Sequence, residues 1–504
     1  MKIAIVGLGL SGSGVLRELL NRLPQKDSDQ QTIDIYERKD HLGNGYPYAQ
    51  DATEILMNSS PGDLSINPDD PDEFVVWVKE NYPEIAESHD FIPRPIYGDY
   101  LNKKVQPLLA DSRVNVINQK VHNVLPIRVD GHAAYQQNHK PYHYQLALEN
   151  GELTEAYDGV FLCIGHPPYA DHYQLMGAEN YIHNPYPVRE KLSQLDKSKK
   201  VALIGSGLSS LDVMRYLQLH DDHDWGHAIS FYIRNLPFTI VRKPVFDRSS
   251  RFSLSKEWID EEKQGNNGLL PLDHLLAKIK GDFQASGIDW RQLIAKYGEG
   301  SIEQIRYELN HEDAMLEALQ GYIDRMKPLL SEINMSLSAS DWQRMQSDYL
   351  SDFEHFRNQL AQPAMEDILI WQSQGKLTIE SGLKDIKATD NGFEMVMADR
   401  TDTVDIVINT AGFEKNVGKA AQQDPLIHNL WEQKLITSGK NGQFIQVTWP
   451  ESQIFNQNQG VHDSLYLLGF WIFGTQFGNN NASMSIKSGE KVARHFIDYY
   501  YKNN

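Results

Sequence analysis

An α/β fold, two doubly wound units carrying a helical insert, follows from three features of the sequence. Two glycine-rich turns, Gly7-Leu-Gly-Leu-Ser-Gly12 and Gly205-Ser-Gly-Leu-Ser-Ser210, each sit between a short apolar run and a helical stretch. The segments 113–166 and 376–412 echo one another, each closing on a glycine. From 253 to 373 helical periodicity replaces these runs.

The first unit opens at once. Ile3, Ala4, Ile5 and Val6 have no polar alternation, as suits a parallel strand buried on both faces. Val15, Leu16, Leu19 and Leu20 then give a helix an apolar face. Strand, G-x-G-x-x-G and helix in that order form a dinucleotide fingerprint. Gly7 permits the tight turn, Gly9 lets backbone approach a pyrophosphate, and Gly12 lets the helix pack close. The helix start, with Ser11 in its first turn, offers free N–H groups to phosphates. A second strand, Thr32–Tyr36, follows the polar loop 24–31 and ends at Glu37. A carboxylate there binds ribose hydroxyls and repels a 2′-phosphate. Arg38 and Tyr46, in the loop that follows, are further candidate cofactor contacts.

Composition narrows the classes. A length of 504 residues suggests about three domains. The net charge of −20 argues against nucleic acid or an anionic membrane as partner. No run approaches the roughly 18 apolar residues of a membrane span. The N-terminal apolar run is short, broken by glycine and already used as a strand, so it does not read as a signal peptide. The single cysteine, Cys163, rules out an internal disulfide framework, fits a cytoplasmic protein, and cannot supply a redox dithiol. It lies in the apolar run 160–164 and reads as a packed strand residue.

Downstream, the turn-rich stretch 54–71 precedes a helix from Asp72 to Glu80. Arg94, flanked by prolines, could be aimed at an anion or form a salt bridge. The opening fingerprint, Leu56-Met-Asn58, the stretch Asn67–Pro71 and Arg94-Pro-Ile-Tyr-Gly-Asp-Tyr-Leu101 together resemble bacterial two-dinucleotide-domain FAD/NAD(P)-binding flavoproteins. That group is related to amine N-hydroxylating and class B flavin monooxygenases. The resemblance covers most of the chain outside the insert. It implies that Asn58 lies near the isoalloxazine ring as a catalytic-site residue, and that the backbone of Val121 meets the adenine of FAD. An Asx-turn role for Asn58 remains the alternative.

In each echo, a strand leads through a polar hairpin to a buried strand, so Gly165 and Gly412 mark passages between domains. The second fingerprint follows Lys200–Ile204. Gly205, Gly207 and Ser209 form its turn, and Ser210 keeps the third position small. Its second strand, Ile229–Ile233, ends in Arg234 where the first unit has Glu37. A cation there accepts a 2′-phosphate, which assigns FAD to the first site and NADPH to the second. Arg242, Lys243, Arg248 and Arg251 add local positive charge. The last segment supplies a strand, 464–469, ending at Gly469. A loop with Trp471, Phe473 and Phe477 follows, then a helix from Ser483, whose start the resemblance places near the flavin.

The expected architecture is two Rossmann-like dinucleotide-binding domains with a helical insert. The FAD-binding domain takes 1–170 and 413–504, the NADPH-binding domain 171–252 and 374–412, and the insert 253–373. The expected function is an FAD-dependent, NADPH-using oxidoreductase. The resemblance favours N-hydroxylation of a small, possibly anionic, amine or amino acid with molecular oxygen. A reductase acting on an organic acceptor and a nucleotide-bound sensor are the alternatives. Baeyer–Villiger enzymes carry F-x-G-x-x-x-H-x-x-x-W/P. Here Leu175 replaces the phenylalanine and His183 is misplaced from Gly177, so that chemistry is not implied. No metal-ligand cluster is legible.

Overall fold

The apolar runs become strands of two largely parallel sheets. The computed structural model describes residues 1–24, 31–67, 69–128, 142–220, 224–243, 249–456, 458, 460–478 and 480–503. Most of the loop 24–31, Pro68 and Arg248 therefore lie outside the described residues.

Among the described residues, the first sheet runs Gln453–Asn456, Gly460–Leu468, Gly159–Cys163, Lys2–Val6, Thr32–Tyr36, Val114–Ile117. Only the first pair is antiparallel. Val15, Leu16, Val492 and Phe496 cover one face. Leu146, Ile427, Leu430 and Trp471 cover the other. Burial on both sides explains why these strands show no alternation. Helices Leu10–Arg22 and Ala482–Asn503 touch backbone to backbone. A Cβ on Gly14 would strike the Ile486 carbonyl, and one on Gly489 the Ser11 carbonyl.

The second sheet is wholly parallel, in the order Leu377–Ser381, Ile229–Ile233, Val201–Ile204, Ile406–Asn409, Tyr181–Ile182. The echo is a shared appendage. In the first unit, Val121–Arg128 pairs antiparallel with Tyr142–Leu148 and covers the sheet. In the second, Leu383–Thr389, Gly392–Met397 and Thr401–Val404 do the same. Strands Val121–Arg128 and Tyr181–Ile182 were not foreseen from sequence. The first contains Pro126 and the second is two residues long, so neither shows a clear apolar signature.

Helices dominate from Lys256, around Leu275, Leu293, Leu319, Tyr322 and Phe356. Ser255, Asp289, Ser301, Asp313 and Ser338 cap them by accepting backbone N–H bonds. The segment returns to the second unit at Leu360–Ala361, which pairs with Val241–Arg242. Helix Gln362–Ser373 then packs through Met365 and Ile368 against the second sheet.

Glu308 fastens this return. It is 4% exposed, and it accepts the Val241 N–H at 2.8 Å and the Gln304 side-chain amide at 2.7 Å. Burial pushes its pKa from the ordinary 4.5 up to about 7, against the pull of both hydrogen bonds. The folded carboxyl therefore holds a proton that the unfolded one releases. Stability from it is complete below the ordinary value and is lost as pH rises through about 7. Glu308→Gln removes the titration. Between about pH 5 and about pH 8, wild type is expected to lose on the order of 2 kcal/mol relative to the variant. Urea midpoints that stay parallel across that range would refute the buried proton.

Among the described residues, no helix is long and apolar enough to cross a membrane, and no group of three His, Cys, Asp or Glu could hold a metal.

Candidate functional site

The site is built from the two glycine turns. Gly7 has φ +93° and donates its N–H to the Tyr36 carbonyl at 3.0 Å. A Cβ on it would run into the Cys163 carbonyl, and one on Gly12 into the Gly7 carbonyl. Those two glycines are required by the fold. Gly9 differs. Its φ of −78° suits any residue, and the nearest atom to an added Cβ is the Gly45 Cα at 3.5 Å. One Cβ would just fit there, in van der Waals contact with Gly45, so the fold itself does not demand glycine. In the second turn nothing lies within 4 Å of a Cβ on Gly207. Both residues cap their helices, and neither helix has an acid in its first turn to neutralise the N-terminal dipole. Two cradles open at helix N-termini fit the pyrophosphates of two dinucleotides. Ser11 and Ser209 lie in those first turns. Ser210 is fully buried, its hydroxyl 2.8 Å from that of Thr410, so it packs the turn against strand Ile406–Asn409 and does not face a ligand.

At the ends of the second strands the two units diverge. Glu37 accepts the Leu8 N–H at 2.9 Å and the Arg38 N–H at 2.8 Å. Burial raises its pKa against both bonds. Arg234 is exposed and has no hydrogen-bond or ion-pair partner among the described residues. Arg38 pairs with Asp40 at 2.7 Å. The other cations expected near the second site are committed elsewhere. Arg242 pairs with Asp63 at 3.1 Å, Lys243 with Glu317 at 2.8 Å and Arg251 with Asp282 at 3.4 Å.

The two passages between units meet. The Ala170 N–H reaches the Gly412 carbonyl at 3.0 Å, and the Glu414 N–H reaches that of Pro168 at 2.8 Å. Gly165 and Gly469 touch as well, the Phe470 N–H bonding the Gly165 carbonyl at 2.9 Å. Both glycines have positive φ. Here, outside the carboxyl ends of the strands, His166 packs against both Phe413 and Phe470, with centroids at 4.6 and 5.5 Å, and the two phenylalanines touch each other at 5.7 Å. Its Nε2 lies 3.0 Å from Asn480 Oδ1. Burial lowers its pKa, so the ring is neutral near pH 7. His166 was missed in the sequence, although Gly165-His166-Pro167-Pro168 after a buried strand is the kind of signal that marks such a crossing.

Asn58 donates to the Gln359 carbonyl at 2.8 Å and leaves its Oδ1 buried without a partner. Val121 is buried at the start of its strand. Ser483 lines a cavity of about 220 Å³ with Arg17, Asp63, Asn67, Lys487 and Glu490. Trp471 belongs to the first core, whereas Phe473 and Phe477 join that of the insert. His183 Nε2 lies 3.3 Å from Gln423 Oε1. Cys163 is buried, and burial pushes its thiol up.

Two residues serve the contact between units. The Tyr46 hydroxyl donates to the Tyr186 carbonyl at 2.8 Å and accepts from Asn184 at 3.1 Å. Of the two readings of Arg94, an anion or a salt bridge, the structure shows the salt bridge, and a buried one. It starts helix Arg94–Leu109 and pairs at 2.8 Å with Asp212, which lies in the second fingerprint helix, Leu208–Leu219. The Tyr186 hydroxyl donates to the same carboxylate at 2.6 Å. Burial raises the Asp212 pKa while Arg94 opposes it.

Residues 4–167 match the family model NAD_binding_9, described as FAD-NAD(P)-binding. No curated protein matches the chain. Among solved structures, the chain is similar to ornithine hydroxylase from Pseudomonas aeruginosa, with 12% identity, TM-score 0.54 and 99% of each chain covered. It is similar to Kutzneria sp. 744 ornithine N-hydroxylase, with 12% identity, TM-score 0.56 and 99% of each chain covered. It is similar to L-lysine 6-monooxygenase from Pseudomonas syringae, with 13% identity, TM-score 0.52, and 98% of this chain and 99% of that one covered. At the level of fold, the resemblance drawn from the motifs holds along the whole chain.

Proposed function

We propose that this chain is an FAD-dependent, NADPH-using oxidoreductase that hydroxylates the nitrogen of a small amine or amino acid. The contrast between Glu37 and Arg234, at equivalent strand ends beside two open glycine cradles, carries the reading. The first cradle takes FAD and the second NADPH. FAD would supply the redox chemistry, accepting hydride from the nicotinamide and passing two electrons to dioxygen, one oxygen atom going to the amine and the other to water. The chain binds, orients and shields. Gly9 and Gly207 leave room for the pyrophosphates, and Glu37 faces ribose. Gly165, Gly412 and Gly469 shape the crossing where the two rings would meet, and Phe413, Phe470 and neutral His166 would exclude water from it. Asn58, with its unpartnered amide oxygen, would face the flavin. The fold shared with ornithine and lysine hydroxylases supports this chemistry, as does a single cysteine that cannot act as a dithiol. The small-molecule substrate and oxygen are the partners this reading names, and the cytoplasm is its compartment.

Anaerobic titration of the FAD-loaded protein with NADPH tests it. Bleaching of the flavin band near ~450 nm, followed on admitting air and substrate by amine-dependent oxygen uptake, is the expected result. Bleaching with no oxygen incorporated into any amine would identify a reductase, and a flavin that neither NADPH nor NADH bleaches would identify a sensor. Arg234→Ala is expected to weaken NADPH by about ten- to hundredfold, the loss of a charge-assisted contact to phosphate, and to leave NADH little changed. Equal losses for both nucleotides would remove the 2′-phosphate assignment.

A further inference from the structure

The helical insert grips the last loop of the first unit. Between strand Gly460–Leu468 and helix Ala482–Asn503 the chain leaves the crossing and returns to it. Phe470 packs on the His166 ring, with centroids at 5.5 Å, and Asn480 Oδ1 lies 3.0 Å from His166 Nε2. Both ends of the excursion therefore rest on one histidine. Its turn is tight, the Thr475 and Gln476 N–H groups donating to the Ile472 carbonyl at 2.9 and 2.8 Å. Thr475 and Gln476 are themselves buried, so the carbonyls around them need partners from the protein.

Helix Leu330–Ser336 of the insert supplies those partners. Asn334 Nδ2 donates to the Gly474 carbonyl at 3.1 Å and to that of Thr475 at 3.4 Å. The buried Ser331 hydroxyl donates to the Phe477 carbonyl at 3.2 Å. Three residues apart, the two side chains share one face of the helix. Leu330 Cδ1 lies 3.3 Å from where a Gly478 Cβ would stand. A row of rings follows the same path. Trp342 meets Phe477 at 6.2 Å, Phe477 meets Phe473 at 5.2 Å, and Phe473 meets Phe470 at 5.0 Å. The row thus runs from the insert to His166. Glu332, on the same helix, accepts the Trp449 indole N–H at 3.0 Å, again from the terminal part of the first unit. By sequence the insert interrupts the second unit, yet this helix directs its polar side chains to the first.

We propose that helix Leu330–Ser336 is a latch that holds loop 470–478 over the crossing, with Asn334 and Ser331 as the positioning residues that keep the flavin site dry. This rests on the placement of FAD beside the crossing given above, and it assigns the insert a part in the reaction. With the loop released, water reaches the site and electrons from NADPH go to dioxygen without an amine. NADPH, a proton and O2 then give NADP+ and hydrogen peroxide. Neither side chain takes part in bond making.

The test is amide hydrogen exchange, with iodide quenching of flavin fluorescence, on the full-length, FAD-loaded, oxidised protein. Asn334→Asp keeps the shape and loses the N–H donor, Asn334→Ala loses both, and Ser331→Ala probes the second anchor. Met335→Ala, at an exposed position of the same helix, is the control. In both Asn334 variants, peptides covering 470–478 are expected to exchange about tenfold faster, the loss of roughly one hydrogen bond. Iodide is expected to quench their flavin about two- to tenfold more strongly, as the open fraction rises. Ser331→Ala should move both readings the same way. Peptides of the second sheet, FAD content and the control should match wild type. In air the share of NADPH recovered as peroxide should rise in the Asn334 variants, while anaerobic flavin reduction keeps its rate. Unchanged exchange in 470–478 would overturn the latch, as would an Asn334→Asp protein that behaves as wild type. Faster exchange with unchanged quenching would show that the loop does not cover the flavin, and an unchanged peroxide share would remove its part in the reaction. Exchange and quenching do not require turnover. A protein that shows both changes but never oxygenates an amine would sink the oxygenase reading and leave the latch standing.

Discussion

A Gly9→Val protein is expected to emerge folded and colourless. Gly9 has an ordinary φ of −78°, and its Cβ would rest in van der Waals contact with the Gly45 Cα at 3.5 Å, so only the valine methyls need the loop at Gly45 to give way. The fold can therefore accept a side chain there that the pyrophosphate cannot. Displacing a phosphate from the N–H groups of a helix start forfeits two or more charge-assisted hydrogen bonds. At about 1.5–3 kcal/mol each, FAD affinity should fall by roughly two to four orders of magnitude. Gly7→Ala should behave differently. With φ +93° and the Cys163 carbonyl in the way, the chain itself gives way, and misfolded protein is expected. Absorbance at the flavin band and far-ultraviolet circular dichroism separate the two outcomes. A fully yellow Gly9→Val protein would refute the cradle.

The second large effect is expected at Arg94 and Asp212. Arg94→Met leaves the Asp212 carboxylate, 9% exposed, with Tyr186 as its remaining close partner. Removing one member of such a pair costs on the order of 3 kcal/mol, because the survivor stays desolvated. The double variant Arg94→Met/Asp212→Leu removes both charges and should be more stable than either single variant. The pair also joins the start of helix Arg94–Leu109 to the second fingerprint helix. Each single variant should therefore slow flavin reduction by NADPH more than it weakens NADPH binding, since only the approach of the two rings is disturbed. Denaturant midpoints and anaerobic stopped-flow traces measure the two effects. Strictly additive destabilisation in the double variant would show that the charges do not depend on one another.

Local chemistry was legible and convergence was not. Thr32–Tyr36 and Ile229–Ile233 have the same limits in sequence and structure, because runs of β-branched and aromatic residues, each interrupted once, by Asp34 and by Ser230, and each ending at a charged residue leave little choice. The glycine turns, the echoed appendages, buried Cys163 and the returning terminal helix were readable for similar local reasons. A salt bridge was one of two readings left open for Arg94, and its partner could not be named because Asp212 lies more than a hundred residues away, a span no local pattern predicts. Arg242, Lys243 and Arg251 read as a basic patch, but pairing with Asp63, Glu317 and Asp282 cancels them. Ser210 read as part of a ligand turn, and its hydroxyl is spent on Thr410. His166 acquires meaning only from Phe413, Phe470 and Asn480, which other segments supply.

The strand order of the first sheet has a consequence for how the molecule is made. Strand Gly460–Leu468 lies directly beside Gly159–Cys163, and helix Ala482–Asn503 lies against Leu10–Arg22. The unit that begins the chain therefore stays open on the ribosome until nearly all of the chain has emerged, whereas the second unit has every strand of its sheet by Asn409. Folding during synthesis should thus finish the middle before the outside. Nascent chains just long enough for residue 412 to have left the ribosome should already protect the second unit from protease while the first is still cut. FAD would then be loaded only at the close of translation.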